Sequence, residues 1–284
     1  MSPAPVLPPL PTWEAIRYLV PLKEGGSLPA VVETEGGGLF VVKFRGAGQG
    51  AKALIAELIV ARLAAALELP VPEVALIELT HDFGRTEPDP EIQDILKGSR
   101  GLNFGIRYLD GALNFDPGAA GDLVAEDFAS RLVWLDALVT NPDRTHKNPN
   151  LLVHGETLWL IDHGAALYAH HQWSAVDDAR MRTPFSPIAQ HVLLERAGAL
   201  AAVDEALTAR ITPTLLEEAL AAVPDALLLD EVGGADFPDA PTARARYVHY
   251  LSTRLEAPRA WVGEAQGARE RLRTTPPRPL RARR

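Results

Sequence analysis

"NPDRTHKNPNLLVHGETLWLIDHG", Asn141 to Gly164, is the stretch on which the reading of this chain turns. Two apolar runs, "LLVH" and "TLWLI", are joined by Gly155-Glu156. Gly at the first central position suits a two-residue type II′ turn, so a β-hairpin is expected. Pairing outward from that turn sets Val153 against Leu158 and Leu151 against Leu160. The residues just before the first strand then lie beside those just after the second. Asn148, Asn150 and Asp162 meet at the hairpin mouth, although they stand up to 14 positions apart. A carboxylate and carboxamides are hard oxygen donors. They suit Mg²⁺, which prefers oxygens and keeps positions open for phosphate. Asp143 lies five residues before Asn148, on a loop that follows a helix. A base placed there reaches an acceptor hydroxyl while the metal holds a nucleotide. Taken singly, each of these residues reads more simply as a turn former or a backbone cap. The conjunction of D-x₄-N, a short hairpin and I-D-H-G is much more specific.

Upstream, Ala125 to Thr140 carries Phe128, Leu132, Leu135 and Leu138 at helical spacing, with Asp122 as a candidate cap. Further upstream the chain turns β-rich. "AIRYLVPL", "LPAVVETE" and "LFVVKF" are short runs separated by "KEGGS" and by Gly36–Gly38, a three-stranded meander. A helix is expected over Gly50 to Leu69, stopped by Pro70 and Pro72. "EVALIEL" reads as a strand and residues 81–100 as a loop. "GLNFGIRYLDGA" reads as a strand running into a connector. Downstream of the hairpin the chain is expected to be mainly helical to about Arg259. The fold class is therefore α+β. A β-rich half with one helix precedes a helical half that carries one hairpin, which suggests two lobes with a cleft between them. The expected divisions are a flexible N-terminus over 1–13, an N-lobe over 14–111, a C-lobe over 112–260 and a disordered basic tail over 261–284.

Composition narrows the function. The chain has 284 residues, 47% hydrophobic and 23% charged, ordinary for a globular protein with its own core. It has no Cys, which excludes a thiol nucleophile, Cys-ligated zinc and disulfides. The net charge of −9 argues against general nucleic-acid binding. The Arg- and Pro-rich C-terminus departs from that balance and is expected to attract an acidic partner. No stretch is apolar enough to span a bilayer and no signal peptide is visible, so a cytoplasmic location is expected. Ser27, Ser130 and Ser186 lack the G-x-S-x-G setting of a serine hydrolase. His163, His170 and His171 lack the spacing of a zinc site and read as exposed loop histidines. Trp134, Trp159 and Trp173 read as packing residues.

The hairpin segment resembles the catalytic and metal-binding loops of HipA-family kinases, which share the protein-kinase-like fold. "DRTHKN" is similar to their Asp…His…Lys-Asn loop, and "IDHG" stands where protein kinases carry Asp-Phe-Gly. Phosphoinositide kinases have a related Asp-Arg…Asn loop. The resemblance implies Asp143 as catalytic base and Asn148 and Asp162 as Mg²⁺ ligands. Asn150 is an alternative to Asn148, which the spacing from Asp143 favours. "FVVKFRG" resembles the third strand of the kinase N-lobe, which makes Lys43 the lysine that contacts the ATP phosphates. Glu57, set in an apolar helical stretch where a carboxylate seeks a cation, becomes its ion-pair partner. Gly25, Gly26 and Ser27 form a candidate phosphate-covering turn. Arg107, Tyr108 and Leu109 fall in the passage that resembles the hinge beside the adenine. Asn-Pro-Asp stands where His-Arg-Asp is usual, and no Ala-Pro-Glu follows, which tells against a conventional protein-substrate groove. The implied activity is transfer of the γ-phosphate of Mg²⁺–ATP to a hydroxyl acceptor such as a protein Ser/Thr. The alternatives are a small-molecule or lipid kinase, or a nucleotide-binding pseudokinase with a regulatory role.

If this reading holds, Mg²⁺–ATP raises the melting temperature, since a ligand that binds only the folded state stabilises it by mass action. Lys43→Ala is expected to shrink the shift. Thermal melts of both proteins at saturating Mg²⁺–ATP check this, and a wild-type melt unmoved by ligand counts against it.

Overall fold

A computed structural model describes residues 7–22, 28–48, 50–85, 87–119, 123–230 and 236–274. Its first part is a five-stranded closed barrel in the order β1-β2-β3-β5-β4. β1 (Thr12–Pro21), β2 (Ala30–Thr34) and β3 (Gly38–Lys43) form the expected antiparallel meander. β5 (Gly101–Arg107) pairs antiparallel with β3 and with β4 (Val74–Leu79). Closure comes from a parallel pairing of β1 with β4, Thr12 to Leu76 through Glu14 to Glu78. The barrel interior is filled by alternate residues, among them Ala30, Val32, Phe40, Val42, Ala75 and Ile77. Space there is tight. A Cβ on Gly105 would come within 2.5 Å of an Ile77 side-chain carbon.

Residues 81–100 are not all loop. Pro90–Gly98 form α2, which lays Ile92, Ile95 and Leu96 against the barrel core. Its start is encoded locally: the Asp89 side chain accepts from the Glu91 amide, and Pro90 sits in the first turn, where its missing N–H costs nothing.

α1 (Gly50–Ala66) is buried on nearly every side, from Leu54 to Ala64 without a break. Such a helix is apolar all round because it is packed all round. It ends in a Schellman-type turn with Glu68 at φ +58° and a bond from the Leu69 amide to the Ala64 carbonyl. Pro70 then prevents further helix.

The second part is mainly helical. α3 (Glu126–Leu138) is its central helix, buried without a break from Leu132 to Leu138. It starts at Ala125 with no side-chain cap, and Asp122 lies outside the described residues. β7 (Leu151–His154) and β8 (Thr157–Leu160) form the expected hairpin in the expected register, Leu151 to Leu160 and Val153 to Leu158. Gly155 has φ +61°, as the turn requires. A short strand, β6 (Leu113–Asn114), adds a third member to this sheet. From His163 to Ala199 the chain runs through short 3₁₀ turns and one four-residue helix, α4 (Asp178–Met181), where longer helices were expected. α5 (Leu200–Arg210), α6 (Pro213–Ala221), α7 (Asp225–Leu228), α8 (Ala240–Leu255) and α9 (Ala260–Thr274) complete the fold.

Both ends depart from the expected boundaries. Leu7 and Leu10 pack on the core, Arg62 donates to the Pro8 carbonyl at 3.1 Å, and β1 starts at Thr12. The N-terminus is therefore structured from residue 7, where flexibility to residue 13 was expected. At the other end, 261–274 is helix, not disordered tail. Trp261, Val262, Ala265 and Ala268 are buried. Trp261 meets Trp134 edge-on at 5.1 Å and donates to the Arg254 carbonyl at 2.9 Å. The run of charges from Arg269 hid this apolar stripe from a compositional reading. Among the described residues no helix is long and apolar enough to cross a membrane.

Trp261→Ala is therefore expected to destabilise the fold by about 3–5 kcal/mol, the scale for removing a fully buried large aromatic. Urea unfolding followed by fluorescence measures it. A change below about 1 kcal/mol would show that α9 does not belong to the core.

Candidate functional site

The alternation of β3 decides where Lys43 points. Phe40 and Val42 face the barrel interior, so Val41 and Lys43 face the opposite side, toward α1. There Lys43 Nζ lies 2.5 Å from Glu57 Oε1 and 2.5 Å from Asp162 Oδ1. Lys43 and Glu57 are buried, whereas the Asp162 side chain keeps 42% of its surface exposed. One ammonium is thus shared by a carboxylate from α1 and another from the loop after β8. Burial works against charge on Lys43, but the two carboxylates, Glu57 foremost, outweigh it and hold its pKa above the ordinary lysine value. Burial also opposes ionisation of Asp162, and Lys43 overcomes it, leaving that pKa lowered. Glu57 goes the other way. Burial pushes its pKa up further than Lys43 pulls it down, and its Oε2 finds no partner among the described residues.

Asp143 is the focus of the preceding loop. Its Oδ2 accepts from Asn148 Nδ2 at 2.7 Å and from Asn150 Nδ2 at 3.2 Å. A carboxylate only accepts, so both amides must turn their NH₂ groups toward it and their oxygens away. The loop is closed by the Thr145 amide, which donates to the carbonyls of Asp143 and Asn148, both at 2.9 Å. Asn148 is exposed and Asn150 is buried. Asn150 and Asp162 have φ of +49° and +55°. Left-handed backbone at a non-glycine residue costs roughly 1–3 kcal/mol and persists only where neighbours enforce it.

A buried network lies beneath this loop. Arg144 is 1% exposed. Its Nε donates to Asp136 Oδ2 at 2.6 Å and its Nη2 to His163 Nδ1 at 3.1 Å. Its Nη1 donates to the carbonyls of Asn150 and Ile161. Asp136 also accepts from His191 Nε2 at 3.0 Å and from Asn141 Nδ2 at 3.1 Å. His191 Nδ1 accepts from the Leu193 amide at 3.0 Å, which puts the ring proton on Nε2. Burial alone would raise the pKa of Asp136, but Arg144 and His191 hold it well below the carboxylate range. Sequence reasoning passed over Asp136, Arg144 and His191. The signal was present at Asp136, an acid between Leu135 and Ala137 in an apolar helix, as at Glu57.

The structure thus gathers Lys43, Glu57 and Asp162 at one ion cluster, and Asp143, Asn148 and Asn150 at one loop, with Arg144 spanning Asn150 and Ile161. Gly25, Gly26 and Ser27 lie outside the described residues. The expected hinge is the end of β5. The Arg107 guanidinium there is taken up by Glu73, the Gly37 carbonyl and the face of Phe40. The Tyr108 amide donates to the Leu39 carbonyl. Leu109 follows in a turn, its carbonyl accepting from the Ala112 amide. His163 and His170 are buried, not exposed as loop histidines would be. Among the described residues no group of three His, Cys, Asp or Glu side chains is placed to hold a metal. The oxygen donors at the hairpin mouth are one carboxylate and two carboxamides, a sparse set that suits Mg²⁺ shared with phosphate oxygens. A cavity of about 600 Å³ lies elsewhere, between the start of α1 and residues such as Trp173 and Tyr247, and none of the site residues lines it.

The HipA-like kinase family model matches residues 16–226, and the chain belongs to that family. Among solved structures, the Helicobacter pylori proinflammatory kinase CtkA is similar, with a TM-score of 0.57 and 11% sequence identity. The match covers 94% of this chain and 100% of that one. At that identity the likeness speaks for the fold. A search of the curated proteins found no match.

Three buried histidines make stability depend on pH. Burial depresses the pKa of His163 to about 3 and lowers those of His170 and His191 below the ordinary 6.5. These rings take up protons less readily when folded than when unfolded, so stability is lost as pH falls below about 6.5. The expected slope is about 1.4 kcal/mol per pH unit for each histidine kept neutral. His170→Phe is expected to reduce the slope by one proton. Urea melts between pH 7.5 and pH 5 measure both, and a pH-independent midpoint would contradict the burial.

Proposed function

We propose that the chain is a phosphotransferase that moves the γ-phosphoryl group of Mg²⁺–ATP to a hydroxyl-bearing acceptor. The observation that carries this is the Lys43 ammonium held between Glu57 and Asp162, residues 14 and 119 positions away. Membership of the HipA-like kinase family and the kinase fold support it. In this reading the barrel part and the helical part are two lobes, and the ion cluster is where they meet.

When bound, Mg²⁺–ATP supplies the transferable group and much of the charge neutralisation that its transfer needs. The chain supplies placement. Lys43, its direction fixed by Glu57, would meet the α and β phosphates. Asp162, with the side-chain oxygen of Asn148 or, in its place, of Asn150, would hold the metal. Those amide oxygens are free for it because the NH₂ groups are fixed on Asp143. Asn148 remains the first choice and is the more accessible, while Asn150 is the more rigidly held. Asp143 uses Oδ2 to orient both amides, and Oδ1 takes the proton of the acceptor hydroxyl. The presence of Lys43, Glu57, Asp143, Asn148 and Asp162 together favours an active enzyme over a pseudokinase, which often lacks one of these groups.

The two acids are expected to fail differently. Asp162→Ala should weaken Mg²⁺-dependent nucleotide binding and abolish turnover. Asp143→Asn should leave nucleotide affinity within a few-fold while phosphotransfer drops by roughly 10²–10⁴, the scale for loss of a general base. Asn148→Ala should resemble Asp162→Ala more weakly, since water replaces a neutral ligand. Calorimetric titration alongside labelled-phosphate transfer separates the three. Transfer at the wild-type rate by Asp143→Asn would remove Asp143 from the role of base.

A further inference from the structure

Arg144 stands apart from the residues assigned above, because its side chain is buried and cannot reach a substrate. Its contacts are nevertheless concentrated on the metal-holding backbone. The two left-handed residues of the site are Asn150 and Asp162. Nη1 donates to the carbonyl of Asn150 itself and, at 3.4 Å, to that of Ile161, which belongs to the peptide leading into Asp162. One guanidinium nitrogen therefore grips both arms of the hairpin mouth at the points where the chain is strained. The arms also touch directly, the Ile161 amide donating to the Asn150 carbonyl at 3.2 Å. Nη2 fixes His163, the residue after Asp162. Nε is anchored on Asp136, and Asp136 is in turn held by His191 and Asn141. The anchor is tied to the loop a second time, through the Val192 amide on the Arg144 carbonyl at 3.0 Å and a β-bridge between Thr145 and His191.

We propose that Arg144 is a positioning residue, which sets the relative placement of Asn150 and Asp162 from below and thereby the affinity of the site for its divalent cation. The proposal rests on the phosphotransferase reading. Its physical content is the planar fork. A guanidinium directs five N–H bonds in fixed directions, whereas a lysine ammonium in the same space supplies a point charge with three donors on a flexible stem. Lysine satisfies Asp136 electrostatically but cannot span Asp136, His163 and both carbonyls at once. The Asn150 and Ile161 carbonyls then lose their common donor, and at the mouth only the Ile161 amide on the Asn150 carbonyl still ties the two arms. A residue that only stabilised the fold would have no reason to act on the cation in preference to the nucleotide.

The test uses Mn²⁺ as the probe, titrated in the presence of a non-hydrolysable ATP analogue and read from the free-ion signal in electron paramagnetic resonance. Arg144→Lys is expected to weaken Mn²⁺ binding at least tenfold. Calorimetry in EDTA is expected to show metal-free binding of the analogue changed less than threefold. In transfer assays kcat is expected to fall with little change in KM for ATP at saturating Mg²⁺. A second variant guards against misfolding. Asp136→Leu combined with Arg144→Met removes both buried charges at similar volume, a replacement that folded proteins often tolerate. It is expected to reproduce the loss of Mn²⁺ affinity. Unchanged Mn²⁺ affinity in either folded variant overturns the proposal, and so does a parallel loss of metal-free analogue binding. If neither variant folds, Arg144 is a scaffold of the fold and the positioning role is rejected. Wild-type protein that binds neither Mn²⁺ nor the analogue overturns the phosphotransferase reading itself, and with it this one.

Discussion

Two distant parts of the chain converge on the ammonium of Lys43. Glu57 comes to it from α1 and Asp162 from the loop behind β8. Each carboxylate is placed by an element whose own packing is settled without it: α1 by burial on all sides, β8 by its register with β7. The cluster therefore reports a geometry fixed elsewhere and does not create it. Its charge balance is uneven, two carboxylates to one ammonium, with one Glu57 oxygen left without a partner.

A second buried charge cluster lies below the first, and the two differ in kind. Asp136, Arg144, His191 and Asn141 satisfy one another almost completely, in the manner of a rigid support. The Lys43 cluster is open on one side and shares its charge, as a site that must exchange partners does. Between them run the peptides of Asn150 and Ile161. Rigidity beneath suits the strained backbone at Asn150 and Asp162, which persists only where its neighbours enforce it.

The long irregular stretch from His163 to Ala199 fits the same scheme. It forms no long helix, yet several of its residues are core: Ala166, Leu167, Trp173, Met181, Ile188 and Leu194 are all buried. Short turns let it follow the surface of α3 and α8 and deliver His191 to Asp136. A continuous helix could not bring residues so closely spaced in sequence to such different partners.

What could be read from the sequence was whatever short-range physics encodes. The hairpin, its register and its turn followed from apolar alternation and Gly155. The resemblance of "FVVKFRG" to the kinase third strand pointed to Lys43, and a carboxylate set in an apolar helix pointed to Glu57 as its partner. Membership of the HipA-like family was legible in "DRTHKN" and "IDHG". Other features were decided only when the chain closed on itself. β1 pairs in parallel with β4, more than 50 residues away, and no local pattern marks a parallel partner. α9 looked like a solvated basic tail until Trp261 found Trp134. Arg144 drew no reading of its own from the sequence. It is buried where Asp136, on the preceding helix, needs a counter-charge and where the Asn150 and Ile161 carbonyls, flanking the hairpin, come within reach of one nitrogen. Sequence records the residues that want partners, but which partners they find depends on which distant segments the fold brings within hydrogen-bonding distance.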